Sequence, residues 1–437
     1  MQAEIKNQEK AQKKETVSEP EKQSKRDQIL SVAASLFDMR GYHDTRLEDI
    51  AAELGKGKTS ISYHFKSKEA LLDVACERSC DYMDAELETA AQATNGLERI
   101  LAFVRNRAEA HAQALSAQRP PLTLLAEPHD ITDVTNPKLS NRIKTQILEI
   151  RGFLEAGCED GSINISSPDA SAFLILNILR EIPQWLANIP NARHGSAIDG
   201  LCDILRNGIA IDKNRQIRRS VLRTQLDTYP AIFDRQVKNQ LKRDALMRTG
   251  TRYLNRKGYR NLSLSDVAAE LGVTRGAFYY YIADKDSLVE SCFHRSCDQI
   301  EKTLHAAMNA SDMNALEQLE HALFAVFEGH ITNMDPLIRL NLLNVLGPAQ
   351  RLGIEVKLRR LATEFSEIIA KAMLEGSART ISLDALESIL IGTLFSAGQW
   401  RLAATPLNKA WHPSTEPTTA ATAYYQPLIS GLSSQGE

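Results

Sequence analysis

The sequence predicts an all-α protein in which one helical domain occurs twice in tandem. Segments with apolar residues at helical spacing recur along the 437 residues, whereas the alternating runs that indicate strands are scarce. A pattern of forty-one residues also recurs 217 positions later. The clearest helical segments are Leu97–Ala114, Ile143–Ala156, Ala170–Leu186, Ala315–Glu328 and Leu383–Trp400.

The repeat extends over whole domains. Residues 41–81 and 258–298 align without a gap and share sixteen of forty-one residues, among them the RSCD that ends both segments. Near the end of each copy, LRNGI at 205–209 corresponds to LISGL at 428–432. A period this long indicates a duplicated domain rather than a solenoid of short repeats.

Each copy is predicted to begin with an amphipathic helix, Asp27–Met39 in copy one and Asp244–Lys257 in copy two. Gly41 or Gly258 follows that helix. A glycine just past a helix can take the left-handed conformation that ends it. We therefore expect the chain to turn sharply at both glycines.

A helix-turn-helix is predicted next. Its first helix lies within RLEDIAAELG or SLSDVAAELG, and we expect Thr45 or Ser263 to cap it. Gly55 or Gly272 makes the tight turn before a second short helix. In a helix-turn-helix this second helix enters the major groove of DNA. The predicted second helices, called the reading helices below, are Lys58–Phe65 and Arg275–Ile282.

The residues around the reading helices suit DNA. The formal net charge of the chain is −3, so DNA must be met by a local patch rather than by the whole surface. Four lysines and no acidic residue lie between Lys56 and Lys68, which suits phosphate. Hydroxyl and imidazole groups there can reach phosphate oxygens or base edges, and Arg275 in copy two suits bidentate contact with guanine.

Lys68 and Lys285 begin the next helix, where backbone N–H groups and a lysine are predicted to clamp a phosphate. The three successive tyrosines of copy two point to different faces of their helix, so we expect that not all of them touch DNA. The predicted DNA-binding residues are Thr45, Lys56, Lys58, Thr59, Ser60, Ser62, Tyr63, His64 and Lys68 in copy one and Ser263, Thr274, Arg275, Gly276, Ala277, Tyr279, Tyr280, Tyr281 and Lys285 in copy two.

These segments resemble the TetR-type transcriptional repressor family, whose DNA-binding region reads approximately IAxxAGVSxGTLYxYFxSKEEL. Copy two is similar in VAAELGVTRGAFYYYIADKDSL. Copy one departs from the pattern at Lys56, Gly57, Thr59, Ser62 and His64. The resemblance is strong over about fifty residues in each copy. It implies operator DNA and a small-molecule effector as partners, with the last two helices of each copy forming a four-helix interface.

The repeat and the resemblance together predict the domain boundaries. Residues 1–24, rich in Lys, Glu and Gln, are expected to form a disordered charged tail. A basic linker, 213–239, is expected to separate the copies. The predicted DNA-binding domains are 25–70 and 240–287, and the predicted helical ligand-binding and dimerisation domains are 71–212 and 288–433.

Several residues leave alternatives open. Trp185 and Trp400 correspond at a shift of 215 and are read either as ligand-pocket residues or, more often for such aromatics, as core or interface. Cys80 and Cys297 are read as redox sensors or as inert core. The stripe of Arg248, Arg252 and Arg256 is either a phosphate-facing edge or a solvated face.

Other chemistry has no support in the sequence. His111, His129 and His330 lack ligand spacing, and no Ser-His-Asp order, phosphate loop or dinucleotide fingerprint is present, so we predict no metal, no cofactor and no enzymatic activity. No apolar run approaches the ~18 residues of a membrane span. Six cysteines without a CxxC pair indicate reduced thiols in a cytoplasmic protein with no membrane partner.

The sequence thus predicts a bacterial, ligand-responsive regulator, expected to be a repressor, in which the two copies pair within one chain on an imperfect palindrome. Its effector is expected to be small and lipophilic. A further pairing of two chains stays open. The alternative is a ligand-binding or protein-interaction module in which one or both DNA-binding heads are degenerate.

Overall fold

The computed structural model describes residues 19–40, 42, 45–116, 118, 137–213, 235–399 and 416–434. Across these ranges the chain forms helices and no strand, apart from two isolated bridges, so the all-α prediction is confirmed. The α-helices of copy one are α1 Glu19–Arg40, α2 Leu47–Glu53, α3 Lys58–His64, α4 Lys68–Ala91, α5 Gly96–Leu115, α6 Pro137–Asp160, α7 Pro168–Ala187 and α8 His194–Asn207.

Copy two repeats this order. Its α-helices are α9 Arg235–Lys257, α10 Leu264–Glu270, α11 Arg275–Tyr279, α12 Lys285–Met308, α13 Ala315–Ile331, α14 Pro348–Leu374, α15 Leu383–Ser396 and α16 Pro417–Ile429. Below, head one and head two denote α1–α3 and α9–α11. The C-terminal halves are the helices that follow, α4–α8 and α12–α16. Within the described ranges, no helix has the length and apolar composition needed to cross a bilayer.

Both copies begin their first helix earlier than predicted. Helix α1 begins at Glu19, inside the segment expected to be a disordered tail, and α9 begins at Arg235, inside the expected linker. The added turns are rich in Glu, Lys, Gln and Arg. These straight-chain residues lose little side-chain freedom in a helix, so they extend it without needing an apolar face. Most of both predicted segments, 1–18 and 214–234, lies outside the described residues.

The predicted glycine turns are present. Gly55 and Gly272 have φ values of +62° and +65°, and Gly258 ends α9 with a φ of +70°. An added Cβ would meet nothing within 4 Å at any of these three positions. The backbone conformation alone therefore selects glycine there. Gly41 lies outside the described residues.

One of the two predicted caps is wrong. Ser263 caps α10, since its side chain accepts a hydrogen bond from the backbone N–H of Asp266. Thr45 is fully buried, and its hydroxyl donates to the carbonyl oxygen of Leu36 at 3.1 Å. The reason is register: at the 217-residue shift Ser263 corresponds to Arg46, the residue that precedes α2, whereas Thr45 corresponds to the buried Leu262. Thr45 is a core residue rather than a DNA contact.

The core of each C-terminal half includes the contacts among its first three helices. Helix α4 packs against α5 and α6, and α12 packs against α13 and α14. Copy one also buries an ion pair there, between Arg107 Nε and Glu86 Oε2 at 2.8 Å. Arg107 corresponds to Val326 when the caps Asn95 and Asn314 are aligned, and Glu86, in the preceding helix, corresponds to Thr303 at the 217-residue shift. The two halves thus share a helical frame but differ in the polarity of its interior.

The last helices of the two copies pack against each other. Helices α7 and α8 of copy one both contact α15 and α16 of copy two. Tyr424, fully buried in this contact, accepts a hydrogen bond from Asn177 Nδ2 at 2.9 Å and donates one to the carbonyl oxygen of Thr393 at 3.2 Å. Arg180 also donates to Ser396 Oγ. This four-helix contact joins copies that are far apart in the sequence.

The segments after α8 and α16 cross, and their backbone hydrogen bonds are reciprocal. The N–H of Ile209 donates to the carbonyl oxygen of Leu428 at 3.0 Å, and the N–H of Leu432 donates to that of Leu205 at 2.8 Å. The next residues repeat this exchange, Ala210 to Ile429 and Ser433 to Arg206, both at 2.9 Å. When LRNGI at 205–209 is aligned with LISGL at 428–432, each of these bonds has an equivalent bond in the opposite direction between the copies. The crossing therefore has local two-fold symmetry.

Two glycines make this crossing possible. Gly208 and Gly431 have φ values of +71° and +81°. A Cβ on Gly208 would lie 2.4 Å from the backbone nitrogen of Gly431, and a Cβ on Gly431 would lie 2.5 Å from the carbonyl oxygen of Arg206. No side chain fits at that separation. The glycine shared by LRNGI and LISGL thus has a packing role as well as a conformational one.

Candidate nucleic-acid interface

The reading helix of copy one is anchored by apolar residues on one side. Ile61 is fully buried and Phe65, which follows the helix, is nearly so. Tyr63 stands out on the other side with 74% of its surface exposed. The remaining predicted residues are exposed at Lys58, Thr59 and Ser62 and partly buried at Lys56, Ser60 and His64. The structure thus brings most of the predicted contacts of copy one onto one accessible face.

The reading helix of copy two is shorter than predicted. Helix α11 ends at Tyr279 rather than Ile282, because Tyr281 N–H bonds back to Phe278 in a tight final turn. Phe278 and Ile282 are buried and hold the segment to the head. Tyr280 is 82% exposed, whereas Tyr281 is partly buried. The tyrosines therefore do point in different directions, as expected.

The start of α11 is well formed. Thr274 caps it, with Oγ1 accepting a hydrogen bond from the N–H of Ala277 at 3.3 Å. Arg275, Gly276 and Ala277 are all exposed in the first turn. In copy one the corresponding capping position is Gly57, which offers no side chain for this bond. The departure of copy one from the family pattern thus removes a local helix start signal.

Lys68 and Lys285 face inward. Lys68 Nζ donates to the carbonyl oxygens of Tyr42 and Thr45, at 2.9 and 3.1 Å, and lies 4.1 Å from the ring centroid of Tyr42. Lys285 Nζ makes similar contacts with the carbonyl oxygens of Tyr259 and Arg260. Each ammonium therefore ties the fourth helix of its copy to the turn after the first helix. This differs from the predicted phosphate clamp, because backbone oxygens attract the lysine before any ligand is bound.

The arginine stripe of α9 has a role that the sequence did not indicate. Arg248 and Arg252 donate to the carbonyl oxygens of Met334 and Asn333, both at 2.7 Å. Arg256 lies over the ring of Tyr253 instead. The stripe is thus neither a phosphate-facing edge nor a solvated face for most of its length. It docks head two on the segment that follows α13.

Copy one lacks these two arginines. At the 217-residue shift, Arg248 and Arg252 correspond to Ser31 and Ser35. Helix α1 of head one instead packs on the short 3-10 helix Leu340–Val345, which belongs to copy two. The segment between α13 and α14 therefore contacts the first helices of both heads. Sequence reasoning missed this segment, although its apolar run LIRLNLLNVL at 337–346 is unlike a surface loop and could have indicated a buried contact.

Glu48 is a second residue that sequence reasoning missed. Its Oε1 lies 2.7 Å from Lys58 Nζ, beside the first turn of the reading helix α3. The hydrogen bond from Lys58 is the main cause that lowers the pKa of the Glu48 carboxyl. Copy two has Ser265 at the corresponding position. Comparing the copies residue by residue would have shown this difference in charge.

The remaining sequence candidates are packed inside the molecule. Trp185 is buried in α7, while Trp400 and His129 lie outside the described residues. Burial raises the pKa of Cys80 to about 11 and that of Cys297 to about 12, so both thiols stay protonated and unreactive. His330 is fully enclosed, and its Nδ1 accepts a hydrogen bond from the N–H of Leu337.

Among the residues that the structure describes, one group of side chains has the ligand types and spacing of a metal site. Glu301, His305 and Glu364 bring ligand atoms within 4.8 Å of one another. Arg360 already bridges the two carboxylates, at 2.7 Å from Glu301 and 3.2 Å from Glu364. Its positive charge stands where a cation would have to bind. We read the group as a surface ion-pair network.

A family profile described as "Bacterial regulatory proteins, tetR family" matches residues 29–75 and 246–292. The regulator RutR of Escherichia coli O157:H7 is 30% identical over 135 residues, covering 31% of this chain and 64% of that protein. The match to RutR of Escherichia coli K12 covers 45% of that protein, so the chain spans less than two thirds of either relative.

The repressor KstR2 of Mycolicibacterium smegmatis is 28% identical over 172 residues, covering 38% of this chain and 78% of that protein. Similar solved structures include AibR in complex with isovaleryl coenzyme A and operator DNA, at 21% identity, covering 41% of this chain and 97% of that chain with a TM-score of 0.34. PfmR from Thermus thermophilus is 17% identical, covering 43% of this chain and 97% of that chain with a TM-score of 0.34.

The family profile and the local geometry agree. Each profile match contains the glycine turn and the reading helix described above, at α2–α3 and at α10–α11. The relatives named here are themselves helix-turn-helix transcriptional regulators. The chain therefore carries two helix-turn-helix domains that match the profile of bacterial regulatory proteins of the tetR family, one in each copy.

Proposed function

We propose that the protein is a DNA-binding transcriptional regulator whose two copies act as a covalent pseudo-dimer. The reciprocal crossing at Gly208 and Gly431 carries this proposal. In a typical homodimer of this class the two-fold axis relates two chains, and the operator half-sites mirror that axis. Here the same kind of local symmetry relates two parts of one chain.

The two heads are proposed to read different half-sites, which together make an imperfect palindrome. Copy one offers Lys58 and Tyr63 on its exposed face, and copy two offers Arg275 and Tyr280. Arginine can make a bidentate contact with guanine, whereas lysine is a point charge that binds phosphate or a single acceptor. Sequence preference should therefore be sharper at the half-site of head two.

A small effector is proposed to act through head spacing. A ligand changes DNA affinity only by the difference in its own affinity for the two conformations. The C-terminal halves are largely apolar inside, which favours a lipophilic effector. Equal operator binding by dialysed protein with and without a panel of lipophilic compounds would count against this part of the proposal.

The pseudo-dimer is tested by selecting DNA sites from a random library with three proteins. These are the unaltered chain, the double variant Lys58→Ala/Tyr63→Ala, and the double variant Arg275→Ala/Tyr280→Ala. We expect each variant to relax a different half of the selected site. If only the second variant changes the site, head one does not read DNA and the working unit is a dimer of chains that uses head two.

The salt dependence of binding separates this proposal from a protein-interaction module. Each phosphate contact adds about 0.9 to the slope of log K against log salt concentration. Two engaged heads should give a steep slope with a duplex of the selected sequence. A flat salt response, together with a selection that recovers no sequence, would point to a module that acts without DNA.

A further inference from the structure

The two reading helices differ in their electrostatic surroundings. In head one, Lys58 is the first residue of α3 and pairs with Glu48 at 2.7 Å. Both side chains remain more than half exposed, at 58% and 54%, so the pair stands on the open surface of the head. In head two the equivalent residues are Arg275 and Ser265. Arg275 is exposed and ends in no salt bridge with any residue that the structure describes.

We infer that Glu48 competes with DNA for Lys58 and thereby holds the DNA affinity of head one below that of head two. This inference rests on the proposed function. The N-terminal residues of a reading helix are those that approach base edges and phosphates. A carboxylate bound to the first of them must either give up its lysine or enter the negative field of the DNA.

The size of the effect follows from the exposure of the pair. An ion pair between two solvated side chains contributes little, so its competition with phosphate is modest rather than complete. We expect removal of the carboxylate to tighten DNA binding by about two- to fivefold at low salt. The gain should shrink as the salt concentration rises, because exposed charges are then screened.

Glu48 can be removed without loss of the helix that carries it. Asp49, the next residue, also lies in the first turn of α2, and its Oδ2 accepts a hydrogen bond from the N–H of Arg46 at 2.7 Å. That bond keeps an acidic group at the positive end of the helix. Ser265 occupies the same position in α10 of head two, so the fold of the domain accepts serine there.

The test uses the full chain and a double-mutant cycle. Affinity for the selected duplex is measured at several salt concentrations with Glu48→Ser, the isosteric Glu48→Gln, Lys58→Ala and Glu48→Ser/Lys58→Ala. We expect both Glu48 variants to bind more tightly and with a steeper salt slope, by up to about 0.9. On the Lys58→Ala background most of this gain should disappear. The mirror variant Ser265→Glu should weaken binding.

The outcomes separate the inference from the proposed function. If the unaltered chain binds the duplex and Arg275→Ala weakens it, while both Glu48 variants leave affinity and salt slope unchanged, the inference is wrong and the function stands. An equal gain with and without Lys58 would also refute the competition, since it would show general repulsion only. If no variant binds any DNA, the proposed function itself fails. Thermal unfolding of each variant shows that the fold is retained.

Discussion

Single buried side chains hold the C-terminal half of copy two in register. His330, near the end of α13, accepts a hydrogen bond from Leu337 N–H at 3.1 Å and reaches the carbonyl oxygen of Phe395 at 3.2 Å. It therefore links three separate segments of the half. Burial lowers its pKa to about 4, since an enclosed imidazole is hard to protonate. His111 is the corresponding residue of copy one and is also buried.

The pKa of His330 predicts a loss of stability in mild acid. The unfolded chain takes up the proton near pH 6.5, whereas the folded chain resists it down to about pH 4. Stability is therefore complete above pH 6.5 and falls as the pH drops towards 4, by up to about 1.4 kcal/mol per pH unit. Denaturant unfolding between pH 7 and pH 5 measures this slope.

The matched variant for that measurement is His330→Asn, whose side-chain oxygen can still accept from Leu337. This variant should be less stable than the unaltered chain at pH 7, but its free energy of unfolding should change less between pH 7 and pH 5. Some slope should remain, because burial also lowers the pKa of His321, which has the same sign of effect. An unchanged slope in the variant would show that His330 does not govern the acid response.

At the scale of elements, the helix-turn-helix depends on one residue in each copy whose backbone conformation suits glycine. The predicted change is Gly272→Ala, which places a Cβ on a residue with φ of +65°. We expect a cost of about 1–2 kcal/mol in stability and weaker DNA binding, because the turn orients α11. Chemical denaturation and duplex binding measure the two effects.

Gly353→Ala serves as the control for that change. Gly353 lies inside α14, and an added Cβ there meets nothing within 4 Å. Alanine is favoured over glycine by up to about 1 kcal/mol in a helix interior, so this variant should be as stable as the unaltered chain or more so. If both variants behaved alike, the cost at Gly272 could not be assigned to its turn.

The elements also show which features of the structure could be predicted from the sequence. Helical spacing, the turn glycines and the 217-residue repeat are local signals, and they predicted the all-α fold and both reading helices. The inward turn of Lys68 depends on carbonyl groups more than twenty residues away, which no local pattern reports. The docking of Arg248 and Arg252 on residues 333–334 depends on groups still more distant in the chain, 86 and 81 residues away. For Thr45 the sequence did contain the signal, because the 217-residue repeat aligns it with Leu262, an apolar residue that is buried in head two.

Across the whole molecule, the crossing that joins the copies is closely symmetric, while the contacts that attach the heads are not. The crossing exchanges backbone bonds in matching pairs. By contrast, head two is held by arginine contacts that head one replaces with Ser31 and Ser35. A symmetric interface with unequally attached heads suits a regulator whose two half-sites differ. Under the proposed function, the interface between the copies sets the distance between the heads, and each head can diverge in sequence.

The crossing therefore gives the most direct test of the covalent pseudo-dimer. Gly208→Ala should disrupt it, because the added Cβ would fall 2.4 Å from the backbone of Gly431. Gly161→Ala is the matched control: Gly161 has a comparable φ of +79° but nothing within 4 Å of a Cβ. Both variants carry the backbone strain of a left-handed alanine, and only in the first does the added Cβ meet the other copy. Gly161 touches copy two through its carbonyl oxygen, which accepts a hydrogen bond from Ser434 Oγ.

We expect Gly208→Ala to lose more stability than Gly161→Ala and to separate the two copies. Small-angle scattering should show an expanded chain for Gly208→Ala, and native mass spectrometry should show chains that pair with one another through the exposed interface. Gly161→Ala should keep the dimensions of the unaltered protein. Equal behaviour of the two variants would mean that strain alone, and not the crossing of the copies, sets the cost at Gly208. The four-helix contact would then hold the copies together without help from the crossing.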